Sequence, residues 1–328
     1  MKRYEHSHMS TRKFSVILGF LGKLNDRFSS YGQGRDLAGK FEVAAQIEGL
    51  QGLELVYPFD FEDVEVTKSL LAKHQLQCST VNVNIKAEPK FHLGALTSKD
   101  PGLRKEAVDY LKTAMDISTE LGTNMITCSP LSDGYDYAFE TDYPKAWKWF
   151  VDGVGEAASY REDVRVSLEY KQSEPRHKVI IPNAGTTLSA CLQTGLPNIG
   201  VTMDMGHALY VGEGTAWAAG LLAQAGKLFL VHVNDNYRNW DWDMIPGSVN
   251  TWDLVELMFY LDEIGYRGWM TSDVAPFRLD PVKTCSSTYR SLVWAERVVE
   301  KVGREELRRI VREGDPIDAL DALQKIIA

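Results

Sequence analysis

The stretch Ser167 to Arg176, S-L-E-Y-K-Q-S-E-P-R, sets a carboxylate and an ammonium two residues apart, at Glu169 and Lys171. Val164, Val166 and Leu168 alternate with Arg165 and Ser167 just before them, the pattern of a strand with one buried face. Residues two apart on a strand share a face, so both groups are expected to reach one pocket at the strand's C-terminal tip. Placed there together, they can bind a metal ion and polarise a carbonyl. The plain alternative is a surface ion pair at a strand end, which contributes little.

Three later stretches end in the same way. Asp204 closes a strand-like run in T-M-D-M-G-H, with His207 three residues on; His232 sits in L-F-L-V-H-V, with Asp235 soon after; Asp273 follows W-M-T-S. Singly, each has an ordinary reading: a cap on the following turn for Asp204, a satisfied loop imidazole for His207, a satisfied core imidazole for His232, a turn for Asp273. Converging, Glu169, Asp204, His232 and Asp273 would form an oxygen-rich set with one imidazole. Such a set suits manganese first, with magnesium, cobalt or zinc as alternatives. The next loop, N-D-N-Y-R-N-W-D-W-D, adds Asp235, Asp241 and Asp243. Its D-W-D puts two carboxylates on one side of an extended segment, as a second divalent site or as hydroxyl acceptors for a polyol. Arg238 is expected to meet an anionic or keto oxygen, and Trp240 to offer a flat apolar face. A solvated acidic loop edged by packed tryptophans is the competing reading.

Eight β-rich runs, at 14–21, 52–57, 78–85, 125–129, 164–169, 199–204, 228–233 and 269–272, alternate with helical spacing at 36–47, 63–74, 101–121, 143–160, 183–194, 215–225, 251–264 and 281–302. Eight such units in one chain predict a single-domain (β/α)8 TIM barrel, an α/β fold whose chemistry gathers at the C-terminal ends of the strands. A doubly wound sheet is disfavoured because no G-x-G-x-x-G follows the first strand. The expected division is a tail over 1–13, the barrel over 14–303 and a C-terminal helical extension over 304–328. The extension's apolar spacing should cover the base of the barrel or meet a second subunit.

Net charge is −9 over 328 residues, 44% of them hydrophobic and 25% charged. No broad basic surface for nucleic acid is indicated. Cys78, Cys128, Cys191 and Cys285 lie far apart with no C-x-x-C pair, which fits a reducing cytoplasm rather than a disulfide framework or zinc ribbon. Neither a signal peptide nor a membrane span is evident. His6 and His8 read as a floppy terminus.

S-L-E-Y-K-Q-S-E-P-R resembles the xylose isomerase segment in which Glu-x-Lys-x-x-Glu-Pro supplies a metal ligand and a carbonyl-polarising lysine. M-D-M-G-H is similar to the acid-x-x-His step of the same enzymes at strand six. V-H-V-N-D with the later D-W-D resembles strand seven of xylose and rhamnose isomerases. The resemblance is to the xylose isomerase-like barrels, which include aldose isomerases, ketose epimerases, C-glycoside deglycosidase catalytic subunits and endonuclease IV. It spans about residues 14–273, with specific motifs in the last four strands only. It implies that Glu169, Asp204, His232 and Asp273 hold the metal, and that Lys171 and His207 contact substrate. Two departures stand out: many epimerases have glutamate where Asp273 stands, and their second carboxylate, six residues beyond the first, would fall on Pro175. The implied function is a divalent-metal-dependent carbohydrate isomerase or epimerase. A lyase acting on 3-oxo glycosides is the second reading, and a metal-free sugar-binding module the third. Endonuclease activity ranks last because His74, His92 and His177 do not fall at strand ends. The expected partner is a small carbohydrate or glycoside, with room for a second copy or a small partner subunit.

Overall fold

A computed structural model describes residues 12–61 and 63–327; His6 and His8 lie outside the described residues. Eight parallel strands close into a barrel: β1 (Lys13–Ile17), β2 (Gly52–Tyr57), β3 (Gln77–Val83), β4 (Met125–Cys128), β5 (Arg165–Glu169), β6 (Ile199–Asp204), β7 (Leu228–Val233) and β8 (Trp269–Ser272). They neighbour one another in chain order, and β8 pairs with β1 to complete the circle.

Period-two alternation decides what each strand shows to either side. Val16, Leu53, Leu55, Val166, Leu168, Val201, Met203, Val231 and Val233 belong to the buried apolar core shared with the helices. Most of the intervening residues face the barrel axis, and Ser15, Glu54, Thr127, Ser167, Thr202, His232 and Thr271 among them are polar and buried. Ser15 and Thr271 Oγ atoms meet at 2.8 Å, and Thr202 bonds to both Thr127 (2.9 Å) and Ser167 (2.7 Å). A hydroxyl layer therefore fills a cross-section where branched aliphatic side chains dominate in most barrels of this kind.

The outer layer begins with α1 (Leu37–Ala44), α2 (Val64–His74), α3 (Pro101–Glu120), α4 (Tyr143–Tyr160) and α5 (Ala184–Thr194). It continues with α6 (Met205–Val211), α7 (Thr215–Gln224), α8 (Thr251–Glu263) and α9 (Pro281–Val302). Aspartate or asparagine caps most of them, with Asp36, Asp63, Asp100, Asp142, Asn183 and Asp280 each accepting a backbone N–H of the first turn. That satisfies one of the free donors every helix start carries. None of the described helices is long and apolar enough to cross a membrane.

Most elements fall within a few residues of the expected spans, although the third strand ends at Val83 rather than 85 and the first helix at Ala44 rather than 47, and three differences shape the mouth of the barrel. The first strand stops at Ile17, and Leu18–Leu21 turns into a short 3-10 helix that still buries Leu18 and Leu21. The seven-residue α6 starts directly on Asp204, where a loop had been expected. Two small antiparallel ribbons, Leu24–Asn25 with Ser30–Tyr31 and Gly134–Tyr135 with Lys178–Val179, build up the loops around the mouth.

After α9 the chain adds α10 (Arg304–Glu313) and α11 (Pro316–Ile327), so the C-terminal extension is helical as expected. It packs on α9, and Arg304 reaches Asp262 at 2.7 Å while Arg308 engages Glu263 at the end of α8. Asp262 also meets the fully buried side chain of Arg12, which lies just before β1 and pairs with Glu296 as well. This charge cluster ties the extension to the end of the barrel opposite the candidate site.

Candidate metal and substrate site

Parallel register sets Asp204 opposite His232, and His232 opposite Thr271 one strand further on. Glu169 ends β5 and Asp273 stands immediately after β8. Each of Glu169, Asp204, His232 and Asp273 offers a ligand atom, and these atoms all lie within 4.8 Å of one another. Among the described residues this is the one such group. His232 Nδ1 lies 3.1 Å from Glu169 Oε1 and 3.3 Å from Asp273 Oδ2. Its other nitrogen, Nε2, meets Glu54 Oε2 at 3.0 Å across the barrel, and Glu54 Oε1 accepts from Asn82 Nδ2 at 2.6 Å. A carboxylate on the far nitrogen fixes the tautomer and leaves Nδ1 free to ligate.

Asp204 combines both readings of its sequence. Its Oδ1 caps α6 by accepting from the His207 backbone N–H at 2.8 Å, and Asn234 Nδ2 reaches both carboxylate oxygens. The close approach of Asn234 depends on Gly206, where a Cβ would stand 1.6 Å from Asn234 Oδ1.

Lys171 curls back to the cavity beyond the strand. Its Nζ contacts Asp241 Oδ2 at 2.8 Å and Glu174 Oε2 at 2.6 Å. The same Asp241 oxygen meets His207 Nε2 at 3.0 Å, while His207 Nδ1 is buried without a hydrogen-bond partner. Asp241 thus links the lysine to the histidine.

Protein charges alone leave this site crowded with carboxylates. Burial raises the Asp204 carboxyl, and Asp273 and Glu169 add to that against the pull of His207, bringing it to about 7. Asp243 is pushed well up by burial and then by Asp241 and Asp273. Burial acts in the same direction on Glu169, but His232, His207 and Lys86 outweigh it and hold this group down at about 2. His207 is raised to about 9, because Asp204 and Asp241 overcome the cost of burying its charge. Asp204 and Asp243 are held up by burial and by neighbouring carboxylates, and Asp204 joins Glu169, Asp273 and the His232 nitrogen at ligand spacing, a set that fits a divalent cation.

A cavity of about 350 Å³ opens onto this cluster. Its polar side includes Glu169, Lys171, His207, Asp241, Asp243 and Asp273, and its opposite side Ile17, Phe20, Leu24, Val56 and Phe59. Three residues expected to bind substrate lie elsewhere. Asp235 is fully buried in its own loop, accepting from Val249 N, Asn250 N and Asn250 Nδ2. Arg238 turns away to Asn250 and Asp253 on the surface. Trp240 packs at 6.1 Å from Tyr210 and does not line the cavity. The D-W-D pair does reach it, but Asp241 is engaged by Lys171 and His207, so the expected second divalent site is not gathered.

Sequence reasoning passed over Glu54, Asn82 and Lys86. The available signal was the alternation itself: G-L-E-L-V-Y carries a lone acid at an inward position, and V-N-V-N-I-K places polar groups at every second residue.

The profile of the family described as "Xylose isomerase-like TIM barrel" matches residues 41–283. Xylose isomerase from Thermus thermophilus is 28% identical over 243 residues, covering 70% of this chain and 62% of that enzyme. The xylose isomerase of Thermus caldophilus is 27% identical over the same shares. The chain therefore matches somewhat under two thirds of the length of these relatives. Among solved structures, D-psicose 3-epimerase from Clostridium cellulolyticum superposes with a TM-score of 0.67 at 18% identity, covering 87% of this chain and 98% of that one. The 3-keto-D-glucoside 4-epimerase of E. coli gives 0.63 at 18% identity, covering 84% and 98%. This chain belongs to the xylose isomerase-like TIM barrel family.

Proposed function

We propose that the protein is a divalent-metal-dependent carbohydrate isomerase or epimerase, with manganese the first candidate ion. The observation that carries this reading is the convergence of Glu169, Asp204, His232 and Asp273 at the floor of a cavity that also holds Lys171 and His207. A bound divalent ion would supply Lewis acidity toward a substrate carbonyl and its neighbouring hydroxyl. Of the three Lys171 protons, two are directed to Asp241 and Glu174, leaving one for a substrate oxygen as it gains charge. His207 holds or moves a proton at Nδ1 toward a substrate oxygen, while Asp241 meets its Nε2 at 3.0 Å. Asp243 lines the cavity where a sugar hydroxyl would meet it, and Phe20, Leu24 and Phe59 line its apolar part.

The test is elemental analysis of the purified protein followed by a screen of aldoses and ketoses with manganese added. One ion per chain and interconversion of at least one sugar are expected. A bound ion with no sugar turned over would sink the isomerase reading.

The apolar side favours a second reading. Ile17, Phe20, Leu24 and Phe59 give a free polyol nothing to bond, whereas a glycoside could place its aglycone there. A lyase acting on 3-oxo glycosides would release that aglycone, which chromatography detects directly. The four cysteines, all free and buried, support a cytoplasmic setting.

A further inference from the structure

Lys171 is the lysine its motif points to, yet its ammonium is already engaged on two sides. A different lysine in the same cavity has no such engagement. Asn82, Asn84 and Lys86 follow one another at every second position off β3, and all three line the cavity. Lys86 Nζ makes no hydrogen bond or ion pair with any described residue, although its charge reaches Glu169 and helps hold that carboxylate down. An ammonium has three N–H donors and no acceptor, so Lys86 keeps all three for a ligand.

Its neighbour sharpens the chemistry. Asn84 Oδ1 accepts from the backbone N–H groups of Lys86 and Ala87, at 3.2 and 2.9 Å. That bonding spends the amide oxygen and leaves Asn84 Nδ2 to donate. This part of the cavity is therefore a corner of donors, in the same cavity as the acceptors Asp241, Asp243 and Asp273. A hydroxyl, which both donates and accepts, gains no selective advantage there. An oxygen with lone pairs and no proton does.

We propose that Lys86, with Asn84, binds an sp² oxygen of the substrate, so that the preferred ligand is a carbohydrate carrying a carbonyl or carboxylate away from the ion cluster. The proposal rests on the cavity taking a carbohydrate at all. The surrounding carboxylates weigh against another full negative charge, so an oxo sugar is expected ahead of a sugar acid.

The experiment is calorimetric titration of the manganese-loaded protein with D-glucose, 3-oxo-D-glucose and D-glucuronate, repeated on Lys86→Met and Lys86→Arg. Wild type should bind the oxo sugar at least tenfold more tightly than glucose. Lys86→Met should erase that ratio, and Lys86→Arg should restore part of it. Manganese stoichiometry and Tm should stay unchanged in both variants, separating a ligand contact from a structural one. Preference for glucuronate, lost in Lys86→Met, supports the same donor corner with a sugar acid as its occupant. An unchanged ratio in Lys86→Met, or glucose binding wild type as tightly as the other two, overturns the inference while the carbohydrate reading stands. If wild type holds manganese yet binds none of the three, the inference is overturned, and the carbohydrate reading is decided separately by the screen of aldoses and ketoses.

Discussion

Glu54 provides the most discriminating test of how the ion cluster is built. It is fully buried 178 residues from its partner His232, holding Nε2 at 3.0 Å while Asn82 donates to its other oxygen. Glu54→Gln keeps the volume but removes the charge that fixes the imidazole tautomer. Groups holding a metal-ligating histidine in this way typically change metal affinity by about 10- to 100-fold when altered, roughly 1.4 to 2.7 kcal/mol. We expect Glu54→Gln near the low end, because its amide oxygen can still accept from Nε2–H. Glu54→Ala should lie near the high end and also lose about 3 kcal/mol of stability, since His232 and Asn82 are left buried without their acceptor. Manganese titration followed by calorimetry or by the loss of the free-ion paramagnetic signal measures the affinity, and thermal unfolding of the ion-free protein measures the stability. A manganese Kd within twofold of wild type in both variants would refute the reasoning, because it would mean that His232 is oriented by packing alone.

Glu169→Ala combined with Asp204→Ala should abolish stoichiometric manganese by elemental analysis while far-ultraviolet circular dichroism stays native. Gly206→Ala should lower stability by about 1 to 3 kcal/mol in denaturant titration, since the added methyl must displace Asn234 from a 1.6 Å overlap. At the barrel base, Arg304 and Arg12 overcome the effect of burial and hold Asp262 below its ordinary value of 3.8. Its contribution is therefore present above about pH 4 and lost as pH falls through the depressed value. The Tm gap between wild type and Asp262→Asn should accordingly be wide at pH 7 and close on acidification. Arg238→Ala, an exposed pair remote from the cavity, should change stability by less than about 0.5 kcal/mol and leave manganese binding as it was.

The barrel was legible because period-two runs and helical stripes alternate eight times, and four strands fall on the expected residues at both ends. The gathering of Glu169, Asp204, His232 and Asp273 was legible for a related reason: an acid or histidine at or beside a strand's C-terminal end in a closed parallel barrel is delivered to one mouth. Loop chemistry followed no such rule. Asp235 lies only two residues beyond β7, but the backbone N–H groups of Val249 and Asn250 return to it and draw it out of the cavity. Arg238 found an acid on α8 that nothing in its local sequence announces. Glu54 and Lys86 were overlooked although their parity was readable, because a single polar residue in an apolar strand gains meaning only when the strand opposite is known. Helix α6 escaped because Asp204 serves as cap and cluster member at once, leaving no gap for a loop.

The span of chain that the cluster draws together bears on how the protein matures. Glu54 comes from the second strand and Asp273 follows the last, so during synthesis the cluster is incomplete until nearly the whole barrel has been made. A nascent chain halted after β7 would lack Asp273 and the strand that seals β1 to β7. Stoichiometric uptake of the ion would then mark closure of the ring, and an ion that favours the closed form would draw late folding forward by mass action. Ribosome-stalled chains of graded length, probed for manganese retention, should show an abrupt onset once β8 and Asp273 have cleared the exit tunnel rather than a gradual rise with length.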